Sequence, residues 1–157
     1  MKRTNHLIDL LLVITVALLT SSCNRKMIFH HYEHTPVSGW EREYTLHFYV
    51  PPVSQRAVVQ RHIELRTSGS YPYRNLCIVV EQTTFPSHYF LRDTLRCDLV
   101  NAKDNNGGKG ISLYQYSFPL PDISVNEGDS MHFCIRHLMR SEELPGITDI
   151  GVSLTSY

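Results

Sequence analysis

His30, Glu33 and His34 spell H-x-x-E-H, a spacing that some zinc proteases use to turn two histidines and a general base toward one side of a helix. That chemistry needs the helix and a third ligand. Here the motif runs into Thr35 and Pro36 within a stretch of strand or linker composition. The expected role is therefore a solvated tether, with adventitious metal binding by His30, His31 and His34 as the lesser alternative. His47, His62, His88, His132 and His137 fall on the polar sides of strands by alternation, so no metal centre is expected from them. Gly107, Gly108 and Gly110 precede a strand, whereas a phosphate cradle needs a helix N-terminus. The G-x-S-x-G element of serine hydrolases is missing. These residues predict no catalytic centre, no cofactor and no enzyme.

Cys23 points to a different chemistry. It follows the small residues Thr20, Ser21 and Ser22, which end an apolar run from Leu10 to Leu19 broken only by Thr15, behind a positive start at Lys2 and Arg3. This is the pattern of a secretory leader. The run is too short for a span, which needs roughly 20 apolar residues. A cysteine directly after small residues resembles a lipobox, with Thr20 where leucine is usual. The expectation is a signal peptide over residues 1–22 and a lipid on Cys23. Acyl chains bury methylenes at ~0.8 kcal/mol each, so the membrane becomes a permanent partner. Asn24, Arg25 and Lys26 follow, where an export signal to the cell surface would be acidic; the expected place is the outer membrane, facing the periplasm. Cys77, Cys97 and Cys134 cannot all pair, and free thiols are expected. A Cys77–Cys134 bridge is the alternative, given a Cα separation of about 4.4 to 6.8 Å.

The elements that must position these groups are short. The 157 residues less the 22 of the leader suit one domain. We divide the remainder into a lipidated tether or first strand at 23–39 and a domain at 40–157. Fifteen basic and fifteen acidic side chains balance, so no nucleic-acid partner is expected. Glu43 to Val50 alternates, with Tyr44, Leu46, Phe48 and Val50 on one face, until Pro51 and Pro52 stop it. Val59, Ile63 and Leu65 form a second inward set, with Arg61 unexplained among them. Leu76, Ile78 and Val80 form a third, and Leu91, Leu95, Cys97 and Leu99 a fourth. Asn101 to Gly110 reads as a loop. Further strands are predicted at Ile111 to Phe118, at Ser130 to His137 with Met131, Phe133 and Ile135 inward, and at Ile147 to Thr155 with Ile150, Val152 and Leu154 inward. Ser141 to Leu144 could form one helical turn. About eight strands without a helix after the leader predict an all-β, two-layer antiparallel β-sandwich of jelly-roll or similar type. Sandwiches that hold glycans use exposed rings, for which Trp40, Tyr71, Tyr73, Tyr114 and Tyr116 are candidates. Ordinary strand tyrosines are the preferred reading.

Two stretches carry a resemblance. Ile63 to Val80 holds Arg66, Tyr71, Pro72, Tyr73, Asn75 and Leu76, while His137 to Leu154 holds Met139, Arg140, Leu144, Pro145, Gly146, Ile147, Asp149, Ile150 and Gly151. With Gly39, Trp40 and the NNGGKG loop, they resemble the GldH gliding-motility lipoproteins of the Bacteroidetes. The resemblance implies a non-enzymatic lipoprotein that works with other envelope proteins of the gliding and type IX secretion machinery. It makes Arg66, Tyr71, Tyr73, Asn75 and Arg140 the residues of interest, either as an interaction surface or as clamps of the fold. As clamps, the two arginines would lay their planar forks on backbone carbonyls at a sandwich end.

Overall fold

The computed structural model describes residues 26–99 and 113–156. Cys23, with the leader, and the predicted loop at 101–110 lie outside the described residues. Period-two alternation of apolar side chains builds ten strands: β1 (Lys26–His34), β2 (Trp40–Glu41), β3 (Leu46–Val50), β4 (Ala57–Ser68), β5 (Asn75–Phe85), β6 (Tyr89–Asp98), β7 (Leu113–Val125), β8 (Ser130–His137), β9 (Glu143–Leu144) and β10 (Ile147–Ser156). They form two four-stranded antiparallel sheets, ordered β1-β10-β4-β7 and β3-β8-β5-β6, and the small pair β2-β9. The inward residues of both sheets share one core. Ile63, Leu65, Ile150, Val152 and Leu154 meet Phe48, Ile78, Val80, Phe133 and Ile135. The chain is an all-β sandwich.

Several details depart from the sequence reading. Of the two readings of the segment after the leader, tether or first strand, the strand holds from Lys26: β1 pairs with β10 from Lys26↔Ser156 to His34↔Asp149, so the H-x-x-E-H stretch is no solvated tether. The strand that was to open at Glu43 begins at Leu46, and Tyr44 is exposed. β7 does not stop at Phe118 but continues through Pro119 and Pro121 to Val125. It can do so because it is an outer strand, where a missing N–H on the open side costs no ladder bond. An extra residue between Leu120 and Ile123 relative to Val59 and Arg61 forms a bulge there. Ser141 to Leu144 makes no helical turn. Its last two residues pair with Trp40 and Glu41 instead, closing one end of the sandwich.

His137 also departs from expectation. It shares parity with Met131, Phe133 and Ile135, and like them it is buried. Its Nε2 donates to the Trp40 carbonyl at 3.0 Å, and its ring meets the Trp40 indole edge-on at 5.3 Å. Nδ1 has no hydrogen-bond partner among the described residues, so the imidazolium would carry an N–H with nothing to accept it. Burial lowers the pKa of His137, aided by Arg42 and opposed by the Trp40 carbonyl and Glu142. A folded value below the free one means that the unfolded chain takes the proton first. Stability is then complete above about pH 6.5 and declines as pH falls below it. Urea unfolding at about pH 7.5 and about pH 5 should show the lower stability at the acid end, and His137→Gln should reduce that slope. A slope identical in the variant would rule out His137 as its source.

Candidate interaction site

The stretches that carry the family resemblance lie far apart in sequence and meet in space. Ser68 N–H donates to Gly146 O at 2.8 Å, and Thr148 Oγ1 donates to Arg66 O at 3.1 Å. Leu138 N–H donates to Cys77 O at 2.8 Å, while Cys77 N–H lies 3.4 Å from Met139 Sδ. Gly146 has φ +81°, and a Cβ on it would lie 2.8 Å from Tyr71 Cα. Glycine is required here for both conformation and space. Tyr71 Oη donates to Asn75 O at 2.9 Å, and the Tyr73 ring stands edge-on to the Tyr71 ring at 5.6 Å. Burial pushes the Tyr71 phenol well above its ordinary pKa. Tyr71 and Asn75 thus join two backbone segments, and Tyr73 is the more exposed of the two rings. Across the closed end, Trp40 Nε1 donates to Tyr44 O at 2.9 Å.

The arginines are used differently from the clamp reading. Arg66 lies on the outer face of β4 with its guanidinium 3.8 Å from the centre of the Tyr32 ring. Tyr32 donates to the Glu64 carboxylate, which also meets His30 Nε2 at 3.1 Å, and Gln115 Nε2 donates to Tyr32 Oη at 3.0 Å. Burial and then Glu64 push the Tyr32 phenol up to about 12. Tyr32 fits because its strand partner is Gly151, where a Cβ would lie 2.7 Å from ring carbon Cε1. Arg140 is exposed, and its carbonyl accepts from Arg42 Nη2. Among the described residues, the arginines that reach carbonyls are Arg42 and Arg61. Arg66→Ala should therefore lower stability by only about 0.5 to 1 kcal/mol, the scale of an exposed cation–π contact. A urea midpoint shift equivalent to more than about 2 kcal/mol would instead mean that Arg66 holds backbone.

Arg61 marks the feature that sequence reasoning missed. It is 2% exposed among apolar neighbours. Nη1 donates to Gln82 Oε1 at 2.8 Å, Nη2 to Asp93 Oδ2 at 3.2 Å and Nε to Pro121 O at 2.8 Å. Burial lowers its pKa while Asp93 opposes the shift, and a guanidinium keeps its proton regardless. This ion pair forms the floor of a groove of about 670 Å³ where β6 and β7, the outer strands of the two sheets, face each other. Leu91 and Asp93 line one side, and Asp122, Ile123 and Ser124 the other. Tyr89 stands at the rim, 59% exposed. The opposite flank of the sandwich differs, since β1 and β3 approach there and His31 meets Phe48 edge-on at 6.3 Å. The only hint of the groove in the sequence is a charge at an inward position.

The proposed ring platform does not form as expected. Trp40 is 0% exposed and presents no face to a glycan. Tyr114 and Tyr116 pair with the inward Thr67 and Leu65, which turns their rings toward the core side of the sheet. The histidines of H-x-x-E-H are distributed along a strand. His30 meets Glu64, His31 meets Glu33 at 3.0 Å and His34 meets Asp149 at 2.5 Å. Each histidine has its own carboxylate, and the helix that the protease pattern requires is replaced by β1. Cys77, Cys97 and Cys134 are free thiols.

Comparison with known proteins gives consistent matches over the same span. The family model described as GldH lipoprotein matches residues 27–154. A gliding motility lipoprotein GldH homolog of Christiangramia forsetii is 26% identical over 147 residues, covering 88% of this chain and 89% of the relative. The gliding motility lipoprotein GldH of Flavobacterium johnsoniae is 26% identical over 149 residues, covering 89% and 91%. Among solved structures, a family GH115 4-O-methyl-α-glucuronidase aligns with 86% of this chain and 18% of its own, at TM-score 0.48 and 12% identity.

Proposed function

The chain belongs to the GldH lipoprotein family, proteins held at a membrane through lipid, and from that premise we propose a non-enzymatic accessory component of the gliding-motility and type IX secretion machinery. It is anchored through Cys23 in the outer membrane and faces the periplasm. Its work is docking, and the observation that carries this reading is the groove between β6 and β7, with the exposed ring of Tyr89 at its rim. A cleft between two sheet edges suits an extended segment of a partner protein, which can offer backbone to the strands and side chains to the floor. The residues singled out by the family resemblance support docking indirectly. Tyr71, Asn75 and Gly146 brace the scaffold, which leaves recognition to the exposed flank.

Photoreactive residues placed at Tyr89 and Asp122, which line the groove, and at Ser117, on the outer side of β7, test the proposal in intact envelopes. Adducts with gliding or secretion proteins are expected from the two groove positions and not from Ser117. Cys23→Ser should abolish them by releasing the protein from the membrane. Equal adducts at Ser117, no protein adducts, or adducts to peptidoglycan alone would overturn the docking assignment.

A further inference from the structure

We propose that His47, His132 and Cys134 form a binding site for a divalent metal ion of the zinc class on the outer face of the β3-β8-β5-β6 sheet. The strands bring the three together. His132 and Cys134 stand two apart on β8 and so share a face, and His47 on β3 is the register partner of Cys134. His47 Nδ1 and His132 Nε2 are 3.1 Å apart, and Cys134 Sγ lies 3.4 Å from the first and 3.7 Å from the second.

Those separations match the edges of a coordination tetrahedron. Zinc–nitrogen bonds of about 2.05 Å and a zinc–sulfur bond of about 2.3 Å put two nitrogens about 3.3 Å apart and each nitrogen about 3.6 Å from the sulfur. Two imidazoles and a thiolate select zinc or a similar borderline-soft ion over magnesium or calcium, which prefer oxygen. His132 is held by Tyr49, whose ring stacks on it at 4.4 Å and 4°. The His47 and His132 rings lie 17° from parallel. Ligation to one ion therefore turns the ring of His47, which is exposed and can rotate about its Cβ–Cγ bond. Glu81 is the register partner of Cys134 on the other side, and its carboxylate also meets Arg92 Nε at 3.5 Å. With three protein ligands the fourth corner remains open to water or to an incoming ligand. The site is distinct from the histidines of β1, each of which meets a separate carboxylate.

Cobalt(II) added to the full chain in detergent is the probe. Binding of one equivalent should produce visible bands of a four-coordinate ion and a near-ultraviolet thiolate charge-transfer band, both lost on addition of zinc. Cys134→Ser should abolish the charge-transfer band, while His132→Ala and His47→Ala should each weaken binding at least about tenfold. Cys77→Ser and His34→Ala should change nothing. In the unaltered chain, zinc should also slow alkylation of Cys134 at least about tenfold and leave Cys77 unprotected, a readout that needs no variant to fold. The proposal is overturned by a missing charge-transfer band in reduced protein, by its survival in Cys134→Ser, by indifference to both histidine variants, or by equal protection of the two thiols.

Discussion

Gly146→Ala is expected to destabilise the domain by about 2 to 5 kcal/mol, summing strain at positive φ with the displacement of packed backbone. Gly146 has φ +81°, which an alanine adopts only with strain, and the added Cβ would lie 2.8 Å from Tyr71 Cα and 2.9 Å from the carbonyl carbon of Ser70. Both obstacles are main chain, which cannot swing aside as a side chain can. Relief would draw Ser68 N–H away from Gly146 O and loosen the junction of β4 and β10. Two other glycines separate the causes. Gly128 has φ +85° and open space around its Cβ position, and Gly69 likewise has nothing within 4 Å. Conformation alone is tested at Gly128, and neither obstacle operates at Gly69. Melting midpoints should fall in the order Gly146→Ala, then Gly128→Ala, then Gly69→Ala, with Gly69→Ala close to the unaltered protein. At ~2 to 8 °C per kcal/mol, a Gly146→Ala midpoint within about 2 °C of the parent would mean that the close approach exerts no constraint.

Arg61→Met should cost about 2 to 4 kcal/mol although the substitution keeps much of the apolar volume. The cause is what remains behind. Gln82, 1% exposed, loses the donor to its Oε1, while the carbonyl of the exposed Pro121 loses the Nε bond and can turn to water. A buried acceptor without a partner costs about 1 to 3 kcal/mol. Asp93 contributes less, because its side chain is 25% exposed and water can replace the guanidinium. Asp93→Asn should accordingly be milder than Arg61→Met. Arg61→Lys should recover only part of the loss, since one ammonium lacks the fork that reaches Gln82, Asp93 and Pro121 in three directions. Urea midpoints for the three variants check the order. If Arg61→Met matches the parent, the buried pair is dispensable to the fold.

The strands that were legible alternate large apolar side chains with small or polar ones, even where, as in β10, both faces are buried. Along β3, β5, β8 and β10 the inward residues recur at every second position, and the structure buries Leu46, Phe48, Ile78, Val80, Phe133, Ile135, Val152 and Leu154 as expected. What escaped depends on partners distant in sequence. Arg61 is an anomaly until Gln82, Asp93 and Pro121 are placed around it. β9 reads as a helical turn until Trp40 supplies its pairing. Pro119 and Pro121 argue against a strand unless the strand is known to lie at a sheet edge. At the candidate metal site, the pairing of His132 with Cys134 was legible from alternation, but His47 joins them only through the register of β3 on β8. The arginine clamps were anticipated in kind and misplaced in position: Arg42 and Arg61 reach carbonyls, while Arg66 reaches a ring.

The pairing of β1 along β10 also has a mechanical side. The proposed lipid on Cys23 would stand three residues before Lys26 in the sequence, and Lys26 enters the sheet opposite Ser156. A pull from the membrane along the axis of β1 would load the whole ladder from Lys26 to His34 in shear, with every hydrogen bond sharing the tension. A pull directed away from the sheet would instead peel the ladder one bond at a time from Lys26. With the anchor at Cys23, the orientation of the domain relative to the bilayer would set the force at which its first strand detaches. A protein drawn sideways by a moving partner would hold most firmly with β1 aligned to the direction of travel.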